Sequence, residues 1–236
     1  STPPATSSRD FPMRSARAFP ASAAVTLALV AAVVGAPRCV IAQSGAAVED
    51  VISVDALLGA FATMPGLEAT FVEEKHLGLL AAPLVSTGTL YFLPPGSLVR
   101  RTDTPRPSEV RVTSDRVEFT DDQGTEAIAL DARPELRALV ESMVWLLAGD
   151  TTSLRTAYHE RFEPGPEGWR LTLTPRGEPL SLLIARMVVV GRGLHVHEVQ
   201  VVETTGDETV TRITAANPAR VFADDERARL FGTQTP

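Results

Sequence analysis

Residues 88–105 read GTLYFLPPGSLVRRTDTP, and this stretch predicts the kind of fold that the chain adopts. Residues 91–93 place apolar bulk on both faces of a predicted strand, and Pro94-Pro95-Gly96 then removes two backbone donors and adds a residue that tolerates positive φ. A tight hairpin is therefore expected, with Arg100 and Arg101 at the far end of its second arm. A sheet that has an apolar concave side and an arginine rim suits an amphiphilic ligand better than a polar reaction.

Outside this hairpin, the spacing of the apolar residues predicts where the other helices and strands lie. Apolar residues recur three and four apart from Val51 to Phe61, which predicts a first helix over 47–64, and residues 67–72 then alternate as in a half-buried strand. Further strands are predicted at 109–113, 116–120, 125–131, 160–163, 169–174, 187–190, 194–203 and 209–214, and further helices at 134–147 and 152–158. About ten strands and three helices predict an α+β domain, in which a single curved antiparallel sheet is closed on one side by helices.

The N-terminal part of the chain is predicted to lie outside this domain. Residues 1–12 are rich in Ser, Thr and Pro and are excluded as an upstream extension, whereas 13–42 have the three regions of a secretory signal peptide, cleaved after Ala42. A membrane-spanning helix is the alternative, but the apolar run 21–36 is shorter than the roughly 20 residues that a span needs. We expect a single mature domain over 43–236, located in the periplasm.

Charge and cysteine content exclude several classes of function for the mature chain. Cys39 is the only cysteine and lies in the predicted signal peptide, so no disulfide, thiolate metal site or cysteine nucleophile is expected. Of the 22 Lys and Arg and 29 Asp and Glu residues, four cations and one anion precede residue 43, which leaves 18 against 28. A net charge near −10 argues against nucleic acid or an anionic membrane as the main partner.

The candidates for catalysis or metal binding are weak. His195 and His197 share one face of a predicted strand, but no third ligand stands near them, which favours surface or sheet histidines. The pairs Glu73-Glu74 and Asp121-Asp122 are adjacent residues that point to opposite faces or lie in a turn, so they are predicted to be solvated charges. We therefore predict no catalytic residue, metal or cofactor, and expect that the protein is not an enzyme.

Several short motifs stand out along the chain, namely Phe71-x-Glu73, the run 86–92 (STGTLYF), Pro94-Pro95 and the strand 115–119. Together they resemble those of the periplasmic outer-membrane lipoprotein carrier family (LolA-like). Similarity to the divergent LolA-related branch is carried by 82–86, 101–107, 171–175 and 191–193. The resemblance covers roughly residues 46–217, and it implies a LolA/LolB-like fold. That fold is an unclosed β-barrel under a helical lid, with a hydrophobic cavity that shields acyl chains in transit between membranes.

One position departs from the family pattern. The family's functional arginine falls at Pro94 of this chain, so the polar latch between that arginine and the lid has no counterpart there. Arg100 and Arg101 are nearby in sequence and are the candidates for a replacement latch. Members of the LolA-related branch occur alongside genes for lipid-like aryl-polyene pigments and glycolipids, so the resemblance also allows a glycolipid- or pigment-like amphiphile as cargo.

A carrier needs apolar walls and a movable lid but no catalytic group, because each buried methylene of an acyl chain contributes about 0.8 kcal/mol. The predicted walls and lid are Phe71, Leu90, Phe92, Leu98, Phe119, Leu139, Met143, Trp145, Trp169 and Leu171. For each residue the alternative is ordinary core packing, since apolar residues on a strand usually face a core. The apolar loop 77–84 needs something to cover or bind it, and this excess of apolar surface favours the cavity.

Three hypotheses about function follow. The favoured one is a monomeric carrier that an inner-membrane exporter loads, that opens residues 136–147 as a lid, and that releases its cargo to an outer-membrane acceptor. The second is an envelope protein that is not a carrier and binds a protein partner through the same sheet. The third is a hydrolase of lipid esters.

Overall fold

A computed structural model describes residues 53–232, which contain one sheet of eleven strands in the order β6-β5-β4-β3-β2-β1-β11-β10-β9-β8-β7. The strands are β1 (Leu67–His76), β2 (Leu84–Leu93), β3 (Ser97–Thr104), β4 (Ser108–Val112), β5 (Arg116–Asp121), β6 (Gly124–Ala129), β7 (Tyr158–Gly165), β8 (Gly168–Pro175), β9 (Ile184–Arg192), β10 (His195–Glu203) and β11 (Glu208–Asn217). All neighbouring strands pair antiparallel. The edges, β6 and β7, stand at opposite ends of the order, so the sheet is open, as predicted for an unclosed barrel.

Short-range sequence features mark several of the helix ends. The helices are α1 (Val54–Ala62), α2 (Pro134–Ala148), α3 (Thr151–Ala157) and α4 (Asp224–Phe231), with 3-10 turns at Leu130–Ala132 and Leu180–Leu182. The Ser53 hydroxyl caps α1 by accepting from the Ala56 amide at 3.2 Å. Gly149 ends α2 in the left-handed region with φ of 69°, a conformation that glycine adopts at little cost. Asp150 then caps α3 by accepting from the Ser153 amide at 3.0 Å.

The main core lies between α1, α2 and one face of the sheet, which we call the inner face. Residues alternate along β1, so that Leu67 and Phe71 point to the inner face and are at most 2% exposed. They join side chains of α1, α2 and both halves of the sheet in one apolar cluster. Gly88 lies opposite Phe71 on β2, and a Cβ there would stand 2.8 Å from the Phe71 ring and 1.9 Å from the Arg101 carbonyl oxygen. Only glycine fits at this crossing.

A second, smaller apolar cluster lies on the opposite, outer face of the sheet. Phe222 and Phe231, from the C-terminal segment and α4, pack with Leu230 on Val99 of β3, and Tyr91 of β2 borders them. The Phe222 ring meets Phe231 edge-on at 5.2 Å and Tyr91 at 6.3 Å. The sheet is therefore covered by α1 and α2 on its inner face and by α4 on part of its outer face.

The predicted fold class is confirmed, and so is the hairpin, since β2 ends at Leu93 and β3 begins at Ser97. The structure adds α4, which the sequence reading did not predict. The first helix begins at Val54, and residues 47–52 of its predicted span lie outside the described residues, as do the predicted extension 1–12 and signal peptide 13–42. Within residues 53–232, none of the helices has the length and apolarity that crossing a membrane requires.

Candidate functional site

Most of the residues predicted to line a cavity lie together in the main core. Eight of the ten are at most 4% exposed and belong to the inner-face cluster: Phe71, Leu90, Phe92, Leu98, Leu139, Met143, Trp169 and Leu171. Trp145 is partly buried and packs against this cluster, whereas Phe119 is half-buried on β5, opposite Val110. The sheet and α2 therefore enclose a continuous apolar layer that is closely packed, and the role of these residues as cavity walls stays a prediction.

Trp169 closes the layer near the β7 edge of the sheet. Its indole Nε1 donates to the Gly193 carbonyl oxygen at 2.7 Å, and its ring stacks on Phe162 of β7 with 6.0 Å between centroids. Gly191 lies opposite Trp169 on β9, and a Cβ there would stand 2.4 Å from the indole. The polar edge of the ring is thus satisfied while its apolar surface joins the core.

Two clefts flank α2. A cleft of about 760 Å³ runs between Val144 on α2 and the β4–β5 region, where Arg111 and Arg116 line it, and a second cleft of about 560 Å³ separates α2 from Ala157 at the end of α3. Trp145 lines both clefts. The first cleft combines apolar side chains of α2 with charged side chains of the sheet, which is a suitable lining for an amphiphile.

The two ends of α2 are held differently. At its C-terminal end, a Cβ on Gly149 would stand 2.1 Å from the Leu58 carbonyl oxygen of α1, so the two helices approach closely there. Nearer its N-terminal end, the ion pairs of Arg137 stay local, with Asp131 just before the helix and with Glu141 one turn on at 3.4 Å. The C-terminal end of α2 is therefore held close against α1.

Arg100 does not lie at the rim of the sheet, where the sequence placed it, but inside, at 4% exposure. Its Nη2 donates to the Glu73 carboxylate of β1 at 2.9 Å, and its guanidinium lies over the Phe71 ring at 4.5 Å from the centroid. The Thr211 hydroxyl donates to the other oxygen of Glu73 at 3.1 Å. Glu73 is 2% exposed, so the prediction of a solvated Glu73 was wrong. The alternation that points Phe71 inward also points Glu73 inward, and this was the signal that the sequence reading missed.

A second buried ion pair lies one step further along the inner face. The Lys75 ammonium is 3.3 Å from the Glu203 carboxylate, and both side chains are less than a tenth exposed. Thr209 faces Lys75 across β1 and β11, and its buried hydroxyl has no hydrogen-bond partner among the described residues. Charged and hydroxyl side chains thus occupy the inner face of β1 and β11 beyond Phe71.

Burial shifts the pKa values of Glu73 and Arg100 in opposite directions. Removal from water raises the pKa of the Glu73 carboxyl above its ordinary value of 4.5, although the Arg100 charge opposes this. The same cause lowers the pKa of the Arg100 guanidinium. Both groups lie in a low-dielectric environment, where each charge is stabilised by the other instead of by water.

Arg101 faces the other way. Its Nε is 2.7 Å from the Glu109 carboxylate of β4, and its guanidinium lies 5.7 Å from the centroid of the Tyr91 ring on the outer face. The two candidates for a polar latch are thus on opposite faces of β3, and each is paired with a glutamate of the sheet. Neither of these ion pairs joins the sheet to α2.

The predicted apolar loop is one of the most exposed parts of the described chain. Leu79 is 99% exposed, Leu80 is 46% exposed, and Leu84 and Val85 at the start of β2 are about half exposed. The Gly78 amide donates to the Asp207 carboxylate at 2.9 Å, which ties this loop to the β10–β11 turn. Several uncharged side chains therefore project from one end of the sheet.

Residues 46–232 match the family model described as outer membrane lipoprotein carrier protein LolA-like. Comparison with curated protein sequences found no match.

Three solved structures illustrate the range of similar folds. A LolA superfamily protein from Nitrosomonas europaea has 9% identity over 74% of this chain and 96% of that chain, with a TM-score of 0.42. A DUF1329 family protein from Desulfovibrio piger has 11% identity over 75% and 96%, with a TM-score of 0.43. The MucA/MucB complex of Pseudomonas aeruginosa has 16% identity over 73% of this chain and 59% of that chain, with a TM-score of 0.41.

Proposed function

This chain belongs to the LolA-like family of outer membrane lipoprotein carrier proteins, and from that premise we propose that it is a periplasmic carrier. Its cargo is the acyl or other apolar part of a lipoprotein or of a lipid-like amphiphile. An inner-membrane exporter loads the protein and an outer-membrane acceptor unloads it. The protein acts by sequestration and handover and breaks no bond.

The observation that carries this proposal is the apolar layer between the inner face and a helix that is open on both flanks. Leu139 and Met143 of α2 are buried in that layer, while clefts of about 760 and 560 Å³ border the helix. If α2 swings about its contact with α1 at Gly149, an acyl chain replaces the helix against the sheet and little apolar surface meets water. Each methylene buried in this way contributes about 0.8 kcal/mol.

Charge in the larger cleft supports an amphiphilic cargo. Arg111, Asp115 and Arg116 line this cleft opposite the apolar side chains of α2. An apolar chain under α2 would leave its polar head group among these side chains, where water still reaches it. The exposed leucines at residues 79 and 80 supply an apolar surface through which the loaded protein contacts its acceptor.

The proposal is tested by native mass spectrometry with lipid extraction on mature protein purified without detergent. The carrier should retain an acylated molecule and take up a fluorescent acyl probe. Trp145→Asp places a charge beside both clefts and should weaken uptake about tenfold or more, since burying an unpaired charge is costly. Val221→Asp, at a side chain 65% exposed in the segment that leads to α4, is the matched control and should bind normally. Protein that is always empty and takes up no probe would overturn the carrier function.

One observation favours the second candidate, an envelope protein that binds a protein partner. The inner face is closely packed, with eight predicted wall residues at most 4% exposed, as expected if no cargo enters. In that case the exposed leucines 79 and 80 are the binding surface. Photocrosslinking from position 79 in cells would then capture one protein partner, and Leu80→Asp would abolish that crosslink while the interior stays empty.

A further inference from the structure

The inner face changes from apolar to charged at one point along β1. Leu67, Ala69 and Phe71 are apolar and at most 2% exposed, whereas Glu73 and Lys75 follow on the same face. The neighbouring strand changes at the same level, because Ile213 of β11 pairs with Phe71 while Thr211 and Thr209 pair with Glu73 and Lys75. The boundary therefore crosses both strands.

Three side chains, Phe71, Arg100 and Glu73, pack closely at this boundary. The Phe71 ring lies across Gly88 on one side, where a Cβ would stand 2.8 Å from it, and under the Arg100 guanidinium, 4.5 Å from its centroid. Arg100 in turn reaches past the ring to Glu73 at 2.9 Å. Displacing the guanidinium from its place over the ring would separate the ion pair.

These three side chains lie inward from the larger cleft. Ser97 lines that cleft, and the next residue, Leu98, is buried on the inner face opposite Phe92. Phe92 pairs in turn with Leu67 at the start of β1. From Leu67 to Phe71 the apolar face runs for about 13 Å at the rise of an extended strand. A chain that enters from the cleft under α2 meets this apolar stretch first and Glu73–Arg100 at its end.

We propose that the Glu73–Arg100 pair is a stop that sets the longest apolar chain this protein accepts. The inference rests on the proposed carrier function and names a determinant of its specificity. A chain that continues along β1 beyond the apolar stretch would have to separate Arg100 from Glu73 and leave two buried charges unpaired, which costs roughly 100-fold or more in affinity. One further methylene improves affinity only about fourfold, so it does not offset that loss.

The stop is tested with saturated fatty acids of about eight to about twenty carbons that displace a fluorescent acyl probe. In the wild-type protein, affinity should rise about fourfold per methylene up to a limiting length. It should then stay level, because the additional methylenes remain in water rather than separate Arg100 from Glu73. The variant Glu73→Leu/Arg100→Met/Thr211→Val replaces the buried polar group with apolar side chains, a change that often preserves stability. Its affinity should keep rising, so that a chain two carbons beyond the wild-type limit binds about tenfold or more tightly than to wild type.

A matched control makes the same exchange on the other face of β1. Glu74 and Arg212 pair at 2.8 Å on the outer face, and Glu74→Leu/Arg212→Met should keep the wild-type limit. Glu73→Gln/Arg100→Gln removes both charges but keeps a hydrogen-bonding side chain at each position. This variant should relax the limit in the same direction, which covers the case that the apolar variant does not fold. An unchanged limit in the folded variants, or no limit in the wild type, overturns the stop while the carrier function stands. Failure of every chain to bind the wild type overturns the carrier function itself.

Discussion

Strand β1 carries similar ion pairs on its two faces, and they differ in burial rather than in geometry. On the inner face Glu73 meets Arg100 at 2.9 Å with side chains 2% and 5% exposed. On the outer face the next residue, Glu74, meets Arg212 at 2.8 Å with side chains 30% and 48% exposed. Water screens the outer pair and replaces either partner when the other is removed, but it does so poorly for the inner pair. The N···O distance alone therefore does not show which ion pair contributes more to stability.

The largest effect is expected from Glu73→Ala. This change leaves the Arg100 charge buried without its carboxylate, and the free energy of unfolding should fall by about 3–5 kcal/mol. Urea denaturation followed by circular dichroism measures the loss. A decrease of less than about 1 kcal/mol would show that water reaches Arg100, and the contrast between the faces would fail.

The cluster on the outer face gives the next largest effect. Phe222→Ala removes the ring that Phe231 and Tyr91 contact, and should cost about 3 kcal/mol, the lower end for a buried phenylalanine. Because this cluster is separate from the main core, α4 should lose its protection against amide hydrogen exchange while α2 keeps it. Equal loss of protection in α2 would mean that the two faces unfold as one unit.

Much of the fold was predictable because period and turn chemistry are local signals. The Pro94-Pro95-Gly96 turn, Pro134 at the start of α2 and Gly149 at its end all act where the sequence shows them. By contrast, α4 was missed, although Asp224-Asp225-Glu226 in its first turn is a usual helix start. The helix has few apolar residues, and its position depends on Val99, more than a hundred residues earlier in the chain.

The candidate site was predictable in composition but not in arrangement. Leu90 and Phe92, which were predicted as cavity walls, are buried at alternate positions of β2 and therefore share one face, while their role as walls stays a prediction. The pairing of Arg100 with Glu73 was not, because it depends on β1, β2 and β3 lying side by side in one register. Adjacent acidic residues suggested solvent exposure for both, yet alternation places one of them inside.

Acidification should change the contributions of Glu73 and Asp150 to the free energy of unfolding in opposite directions. Burial raises the pKa of Glu73, so the proton-linked part of its contribution to stability is full below its ordinary pKa of 4.5 and is lost as pH rises through the raised pKa, whereas the pairing of the carboxylate with Arg100 persists at neutral pH. Hydrogen bonds from Ser153 lower the pKa of Asp150, so this cap, worth about 1 kcal/mol, is lost as pH falls below 3.8. Unfolding free energies of Glu73→Gln and Asp150→Asn, each subtracted from wild type between pH 7 and pH 3, should therefore change with opposite signs. Parallel pH dependence would contradict this.

Glu74→Ala should have the smallest effect, although it removes a bond as short as the inner one. The Glu74–Arg212 pair is partly exposed, and Arg212 keeps Glu198 at 3.2 Å, so the free energy of unfolding should fall by less than about 1 kcal/mol. The difference from wild type should shrink further in 1 M salt, where the Debye length is about 3 Å. The Glu73→Ala loss should change little with salt, because ions do not reach the inner face. A salt-independent loss at Glu74 would mean that its pair is effectively buried, and that some other structure covers this part of the outer face.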